Sequence, residues 1–314
     1  MKIFDAHSDV LYKMWMDPTI DFADSPKLHI TYNQLKATGS KVQCFAIYIP
    51  EEVRPESRFE TALEMVEIFY KRVIAPSPLL KAVRTKEDIL ALKENEIGAF
   101  LTLEGCDAID QSIVKLQTLI RLGVSSVGLT WNYANFVADG IGEPRGGGLS
   151  SFGKEVVQEH NKALIWTDVS HLSIKGFWDV MEVADYPIAS HSNAIAVCNH
   201  RRNLQDDQIR ALIQKNGMIG ITFVPQFLSN QGHASIDDVV KHLDYICSLG
   251  GENHVGFGSD FDGITETTFG LESFIGYDVL VNNLLKHYTE TQVEKFLYHN
   301  FIEHLPCEIN PCSN

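Results

Sequence analysis

The sequence predicts an α/β fold, specifically a (β/α)₈ (TIM) barrel that forms one domain over residues 1–314. Short apolar, β-rich runs alternate with longer amphipathic stretches from one end of the chain to the other, and eight such runs can be counted. Strands that are separated by helices pair in parallel, and eight units of this kind fit a closed barrel. An open doubly wound sheet is the alternative, but no G-x-G-x-x-G or Walker motif follows the first run.

The predicted elements follow each other in a regular order. The eight strands are predicted at residues 2–6, 42–49, 98–103, 126–130, 163–168, 187–190, 218–223 and 255–258. Helical patterns include residues 58–73, 85–94, 112–122, 204–215 and 236–249, and two final helices, 271–287 and 290–304, are expected to complete the outer ring. Residues 17–40 and 136–148 are interpreted as small insertions over the mouth at the carboxyl ends of the strands.

Local signals mark some of the helix ends. Thr85 followed by Asp88 resembles a capping box with Asp in place of Glu. Gly123 and Gly250 follow helical patterns at the position where a left-handed residue commonly ends a helix.

Composition excludes several classes of protein. With 45% hydrophobic and 21% charged residues, the chain can bury a large core and is not a candidate for disorder. The net charge of −15 argues against a nucleic-acid partner, because phosphate binding needs clustered Lys and Arg. Neither a signal peptide nor an apolar run long enough to span a bilayer is visible, so no membrane partner is expected.

The six cysteines contain no C-x-x-C pair, which favours reduced thiols and a cytoplasmic location. Cys307 and Cys312 could pair near the end of the chain, although free thiols are the preferred interpretation.

Side chains of the types that bind metals follow four of the predicted strands. Residues just past the carboxyl ends of barrel strands converge on one mouth. His7 and Asp9 are two residues apart, so in extended backbone they point to the same side and could share a metal. The set suits Zn²⁺ or a similar divalent ion and consists of His7, Asp9, Glu104, His171 and His191. Five ligands exceed what one tetrahedral zinc takes from protein, which favours two ions with Glu104 as the bridge.

Each of these residues also has a simpler interpretation. A single His at a strand end is more often a hydrogen-bonded loop residue, and an Asp there often caps the next helix. The combination carries the prediction, because the other nine histidines mostly fall in helical patterns or loops. His200 lies near the proposed site but is expected not to be a ligand.

Seven motifs occur in the order typical of one protein family. They are DAHSD at the start, LTLEG around Glu104, LTWNYAN at 129–135, GGLS at 147–150, DVSH ending at His171, SHSNAIAVCNHRRNLQDDQ at 190–208 and VGFGSDFDG at 255–263. In these motifs the chain resembles the membrane dipeptidase (renal dipeptidase) family of the amidohydrolase superfamily, as a bacterial-type cytoplasmic member. The resemblance implies His7 and Asp9 on one zinc, His171 and His191 on the other, and Glu104 bridging them.

The resemblance also implies roles beyond the metals. Asp260 resembles the family's catalytic acid/base, and Arg202 the arginine that clamps the terminal carboxylate of the substrate, a task that Arg201 could share. Asp262 is expected to be a structural residue. Trp131 stands where many members have a histidine that touches the scissile carbonyl, so either Trp131 or Asn132 is expected to contact the substrate there, or Trp131 only forms a wall.

The resulting hypothesis is a zinc-dependent dipeptidase in which a metal-bridging hydroxide attacks the peptide bond of small dipeptides, including those with a C-terminal D-residue. One alternative keeps the two metals but cleaves N-acyl amino acids or lactones. Another is a catalytically silent barrel that binds metal. The resemblance suggests a homodimer.

Overall fold

The structure is a computed structural model that describes residues 1–307. Within this range nine parallel strands form one sheet. They are β1 (Ile3–Asp5), β2 (Ser40–Tyr48), β3 (Leu80–Val83), β4 (Ile97–Glu104), β5 (Val124–Gly128), β6 (Trp166–Asp168), β7 (Pro187–Ala189), β8 (Met218–Ile221) and β9 (Val255–Phe257).

Eight of these strands close a ring. β1 pairs with both β2 and β9, the strands from β4 to β9 pair in sequence, and β2 pairs with β4 to complete the circle. This closure confirms the predicted (β/α)₈ barrel. β3 lies outside the ring along the first half of β4, while β5 pairs with the second half. It was not predicted because only its two end residues are buried, so its four residues show no alternating pattern.

Thirteen α-helices accompany the strands within residues 1–307. They are α1 (Val10–Met16), α2 (Tyr32–Ala37), α3 (Arg58–Ile68), α4 (Lys86–Leu90), α5 (Ile113–Arg121), α6 (Ser151–Ala163), α7 (Ile174–Val183), α8 (Asp206–Gln214), α9 (Pro225–Leu228), α10 (Ile236–Ile246), α11 (Gly276–Leu284), α12 (Glu290–Glu294) and α13 (Asn300–Glu303). Turns of π-helix extend α3 and α10 and join α12 to α13. The capping box between Thr85 and Asp88 is confirmed.

Several predicted boundaries differ from those of the structure, and three of the differences have a local cause. The strand predicted at 163–168 begins only at Trp166, because Ala163 still ends α6 and Leu164 closes that helix in a left-handed conformation. The helix predicted at 271–287 begins at Gly276, after a turn around Leu271. The helix predicted at 204–215 begins at Asp206, because Gln205 is its capping residue.

The end of the barrel opposite the mouth is filled by large apolar side chains. We call this set the floor cluster, and its main members are Phe4, Phe100, Trp166, Met218 and Phe301. The rings of Phe4 and Phe301 stack with centroids 4.7 Å apart. At position 256 only glycine fits, since a Cβ there would lie 2.4 Å from the ring of Phe301. The last helix thus closes the barrel from below.

The two predicted insertions lie on the mouth side and are held by buried carboxylates. Asp262, directly after β9, accepts hydrogen bonds from the backbone N–H groups of His29 (2.8 Å) and Ile30 (3.1 Å) and so anchors residues 17–40. Burial raises the pKa of Asp262 to about 6. Asp139 binds the Arg145 guanidinium and the backbone N–H of Gly147, which folds residues 136–148 into a compact loop.

Two further observations concern predicted properties. Within residues 1–307, none of the helices combines the length and the apolar character that crossing a membrane would require. Five cysteines in this range carry free thiols, and Cys312 lies outside the described residues.

Candidate metal centre

The five predicted ligands come together at the carboxyl ends of four different strands. His7 and Asp9 follow β1, Glu104 ends β4, His171 follows β6 and His191 follows β7. All five side chains are at least nine-tenths buried. Parallel strands in a closed ring place their ends at one mouth, so residues far apart in sequence become neighbours.

Glu104 lies between two groups of imidazoles. Its Oε2 atom is 3.7 Å from His7 Nε2, while its Oε1 atom is 3.0 Å from His171 Nε2 and 3.6 Å from His191 Nε2. On the far side, His7 Nε2 is 3.4 Å from Asp9 Oδ2. The two carboxylate oxygens therefore face opposite halves of the site, which is the arrangement that a bridging ligand requires.

Two overlapping sets of ligand atoms could each hold a cation. One consists of His7, Glu104 and His191 and the other of His7, Asp9 and Asp260, with all atoms of a set within 4.8 Å of one another. His7 belongs to both sets, and Asp260 joins the second with its Oδ1 3.9 Å from His7 Nε2. These overlaps were not predicted, because they depend on the distances between the ends of β1, β4, β7 and β9.

Several polar atoms in this site have no hydrogen-bond partner within residues 1–307. They are His7 Nε2, His191 Nε2 and Asp9 Oδ1, and each is fully buried. A buried polar atom without a partner costs free energy, on the order of 1–3 kcal/mol. Nitrogen and carboxylate oxygen are ligands that zinc and similar ions prefer. The residues present therefore fit divalent cations.

Hydrogen bonds behind the ligands fix which imidazole nitrogen faces the site. Ser190 Oγ donates to the Asp168 carboxylate and lies 2.8 Å from His191 Nδ1, so that nitrogen must donate to the hydroxyl oxygen. His191 Nε2 then carries the lone pair and points at Glu104. Analysis of the sequence did not predict these roles for Asp168 and Ser190, although Asp168 stands at a strand end like the ligands.

Asn132, predicted as a possible substrate contact, also contacts a candidate ligand. Its Oδ1 lies 3.0 Å from His171 Nδ1 and accepts a hydrogen bond from that ring, which again leaves Nε2 free to face Glu104. Asn132 also borders the cavity described below. Its side-chain oxygen is therefore already used to orient a candidate ligand.

Burial and the close packing of the carboxylates shift the pKa values of the site residues. Burial opposes protonation of His7, but Glu104, Asp9 and Asp260 outweigh it and raise the pKa of His7 to about 10. Burial and the neighbouring Asp9 hold the pKa of Glu104 well above its usual range. Burial keeps the pKa values of His171 and His191 well below the ordinary value. The carboxylates thus create a strong local attraction for positive charge.

Asp260 stands beside the ligands on a strained turn after β9. Burial raises its pKa to about 6, although His7 and Arg202 favour its ionised form. Its φ is 65°, and His171 shares this left-handed conformation with a φ of 67°. Residues other than glycine rarely adopt such angles, and they cluster at functional sites where the surroundings enforce them.

A cavity of about 390 Å³ opens over the candidate ligands. On one side the ring of Trp131 lies 5.4 Å from that of Tyr48, and on the other His200 stacks on Phe227 at 4.3 Å. His200 is therefore a wall residue, and neither set of candidate ligands includes it. Trp131 likewise borders the cavity, 6.0 Å from the His171 ring.

Arg202 lies at the inner wall of the cavity and is 6% exposed. Its Nη2 donates to the backbone oxygen of His191 (3.3 Å), and its guanidinium lies 5.5 Å from the centre of the Phe227 ring. Among residues 1–307 no carboxylate lies within 4.0 Å of it, and Nε has no partner. Burial lowers its pKa to about 10. A buried guanidinium that has no carboxylate within 4.0 Å has hydrogen-bond donors free for an anion.

Comparison with known proteins places this site in a family. The sequence profile of the membrane dipeptidase family, peptidase family M19, matches residues 1–306. An uncharacterized dipeptidase of Schizosaccharomyces pombe is 29% identical over 320 aligned residues, which cover 93% of this chain and 77% of that protein.

Two solved structures share nearly the whole fold. A metallopeptidase described as dipeptidase AC superposes with a TM-score of 0.92 at 29% identity, covering 97% of this chain and 98% of the other. A metallopeptidase from Rhodobacter sphaeroides, bound to a phosphinate mimic of L-Ala-D-Ala, gives 0.91 at 28% identity and the same coverage. The chain therefore belongs to the membrane dipeptidase family, peptidase family M19, and is a metal-dependent dipeptidase.

Proposed function

We propose that this dipeptidase uses two zinc ions, and that its substrates include dipeptides with a D-residue at the carboxyl terminus. The position of Glu104 carries the proposal, because its two oxygens face separate groups of potential ligands. His7 and Asp9 would hold one ion and His171 and His191 the other. When bound, such cations would lower the pKa of a water molecule and polarise the scissile carbonyl.

Arg202 orients the substrate in this proposal. Its buried guanidinium, which lacks a carboxylate partner within residues 1–307, would bind the terminal carboxylate of the dipeptide. The peptide bond then lies over Glu104, between the walls formed by Trp131 and Phe227. A carboxylate fixed at this distance leaves room for one residue on the carboxyl side of the cleaved bond, which is consistent with a dipeptide substrate.

Asp260 moves the proton. Its Oδ1 is within 4 Å of His7 Nε2 and it borders the cavity, so it can accept a proton from the attacking water and return it to the departing amine. Trp131 would form a wall beside the carbonyl, and its indole N–H could donate one hydrogen bond there.

The proposal that a D-residue is accepted is supported by the ligand of a related protein. The Rhodobacter sphaeroides metallopeptidase, with nearly the same fold, binds a mimic of L-Ala-D-Ala. We propose the same stereochemical tolerance here. The homodimer and the cytoplasmic location stay predictions.

Replacing Asp260 with Asn tests the proton transfer. The amide cannot accept the proton, so kcat should fall by about 10²–10⁴-fold while two equivalents of zinc remain bound. The assay should use L-Ala-L-Ala and L-Ala-D-Ala, with metal content measured on the same samples. Near-normal turnover by the Asn variant would contradict the role of Asp260.

The same assay separates the alternative reactions. N-acetyl amino acids and lactones should be turned over far more slowly than dipeptides, because they lack either the free amine or the terminal carboxylate. Faster cleavage of either class would replace the dipeptidase proposal with the corresponding deacylase or lactonase.

A further inference from the structure

A second cavity of about 250 Å³ adjoins the first behind Arg202. The two cavities share only three lining residues: His171, Arg201 and Arg202. Arg201 and Arg202 thus border both cavities, and a side chain next to a carboxylate held by Arg202 would lie at their common border. This position corresponds to the carboxyl-terminal residue of a dipeptide in the orientation proposed above.

The two cavities differ in charge. The first contains Asp9, Glu104 and Asp260, whereas the second has no acidic residue in its lining. Its polar side chains include four amides, which are neutral, and the two arginines supply its formal charge.

Both arginines lack an acidic partner. Neither guanidinium lies within 4.0 Å of a carboxylate in the part of the chain that the structure describes, although the whole chain has a net charge of −15. The positive potential is also felt by His200, whose pKa is lowered by burial and by Arg202 and Arg201. A dipeptide has one terminal carboxylate. If this carboxylate pairs with Arg202, Arg201 still has no acidic partner within residues 1–307.

We propose that Arg201 binds a second carboxylate, on the side chain of the carboxyl-terminal residue, so that the preferred dipeptides end in aspartate or glutamate. The inference rests on the proposed orientation of the substrate by Arg202. Arg201 is exposed, so solvent weakens the interaction, and the gain should be smaller than for a buried pair. A dipeptide that ends in lysine or arginine would be repelled by Arg201.

The test compares dipeptides that differ in charge but hardly in shape. We expect kcat/KM for Ala-Glu to exceed that for Ala-Gln by about three- to tenfold at low ionic strength, with L and D forms of the second residue both measured. The ratio should shrink towards one as salt is added. In Arg201→Gln it should be about one at all salt concentrations, and Arg201→Lys should retain part of it.

Arg210→Gln is the matched control, since Arg210 is an exposed arginine on α8 that borders neither cavity, and it should keep the wild-type ratio. Equal cleavage of Ala-Glu and Ala-Gln by the wild-type enzyme would overturn this inference and leave the dipeptidase proposal intact. A preference that persists in Arg201→Gln would overturn it as well. Failure to cleave any dipeptide, including Ala-Ala, would overturn both proposals.

Discussion

The two ends of the barrel interior are built by the same strands but differ in polarity: the floor is apolar, and the mouth carries polar and charged side chains. On β6, Trp166 packs into the floor cluster, and two residues later Asp168 accepts hydrogen bonds at the mouth. On β4, Phe100 and Glu104 show the same contrast. Residues that alternate along a strand face one side, so a single face supplies stability at one end and ligands at the other.

The two ends also differ in how far their buried polar atoms find hydrogen-bond partners. The one polar atom of Trp166 in the floor cluster, its indole N–H, donates to the backbone oxygen of His304 at 3.2 Å. At the mouth, His7 Nε2 and His191 Nε2 are buried without a partner in the described chain. The comparison implies that substitutions at the floor should lower the free energy of unfolding, whereas substitutions at the mouth should lower metal binding.

The largest effect is expected for Glu104→Gln. The amide keeps the shape of the side chain but removes the charge that faces both groups of imidazoles, so kcat/KM should fall by at least about three orders of magnitude. Bound zinc should fall from the two equivalents proposed for the wild type to one or none. The free energy of unfolding in the presence of a chelator should not decrease, because burial and Asp9 already disfavour the ionised carboxylate.

Metal analysis and urea unfolding of the same preparation check this prediction. Two tightly bound zinc ions in Glu104→Gln would show that Glu104 is not the bridge. A marked loss of stability in the chelator would show that the mouth also supports the fold, which would break the contrast between the two ends.

Phe301→Ala tests the opposite end and should have the next largest effect. Phe301 is fully buried and stacks on Phe4, so the truncation should lower the free energy of unfolding by about 3–5 kcal/mol. Below the unfolding temperature, zinc content and KM should be unchanged, and Phe301→Leu should lose less stability. A fall in zinc affinity in the folded variant would mean that the floor positions the mouth.

The barrel and the convergence of the candidate ligands at its mouth could both be predicted from the sequence. The periodicity of strands and helices predicted the barrel, and the position of His7, Glu104 and His191 at strand ends predicted that they meet, because a closed parallel ring leaves one place for strand ends. These inferences need only the order of elements along the chain. The extra strand β3 was missed because its four residues, buried only at the two ends, carry no alternating signal.

The sequence could not predict contacts that depend on register. Asp168 accepts from the backbone N–H groups of Ser170 and Ser190 at 3.0 Å each, and this requires β6 and β7 to be aligned as they are. Asp5 repeats the arrangement between β1 and β9, where it accepts from His7 and Ser259. The lack of a partner for Arg202 is likewise a property of the folded chain.

The smallest of these effects is expected for Ser190→Ala, which removes a hydrogen bond behind a ligand and leaves every ligand in place. Without the hydroxyl, His191 Nδ1 loses its acceptor and the ring is free to rotate or to change tautomer. Zinc affinity, measured by competition with a chelator, should fall about 10–100-fold.

Ser192→Ala is the matched control for this substitution, because Ser192 is equally buried but its hydroxyl contacts Ser170 at 3.4 Å. It should bind zinc like the wild type. If both variants lost zinc affinity equally, the loss would reflect the packing of the segment after β7. Metal binding at the mouth would then depend on side-chain packing, as the stability of the floor does. If only Ser190→Ala weakened binding, then the lone pair of His191 Nε2 is held in place through Ser190 by Asp168, a residue that binds no metal in this proposal.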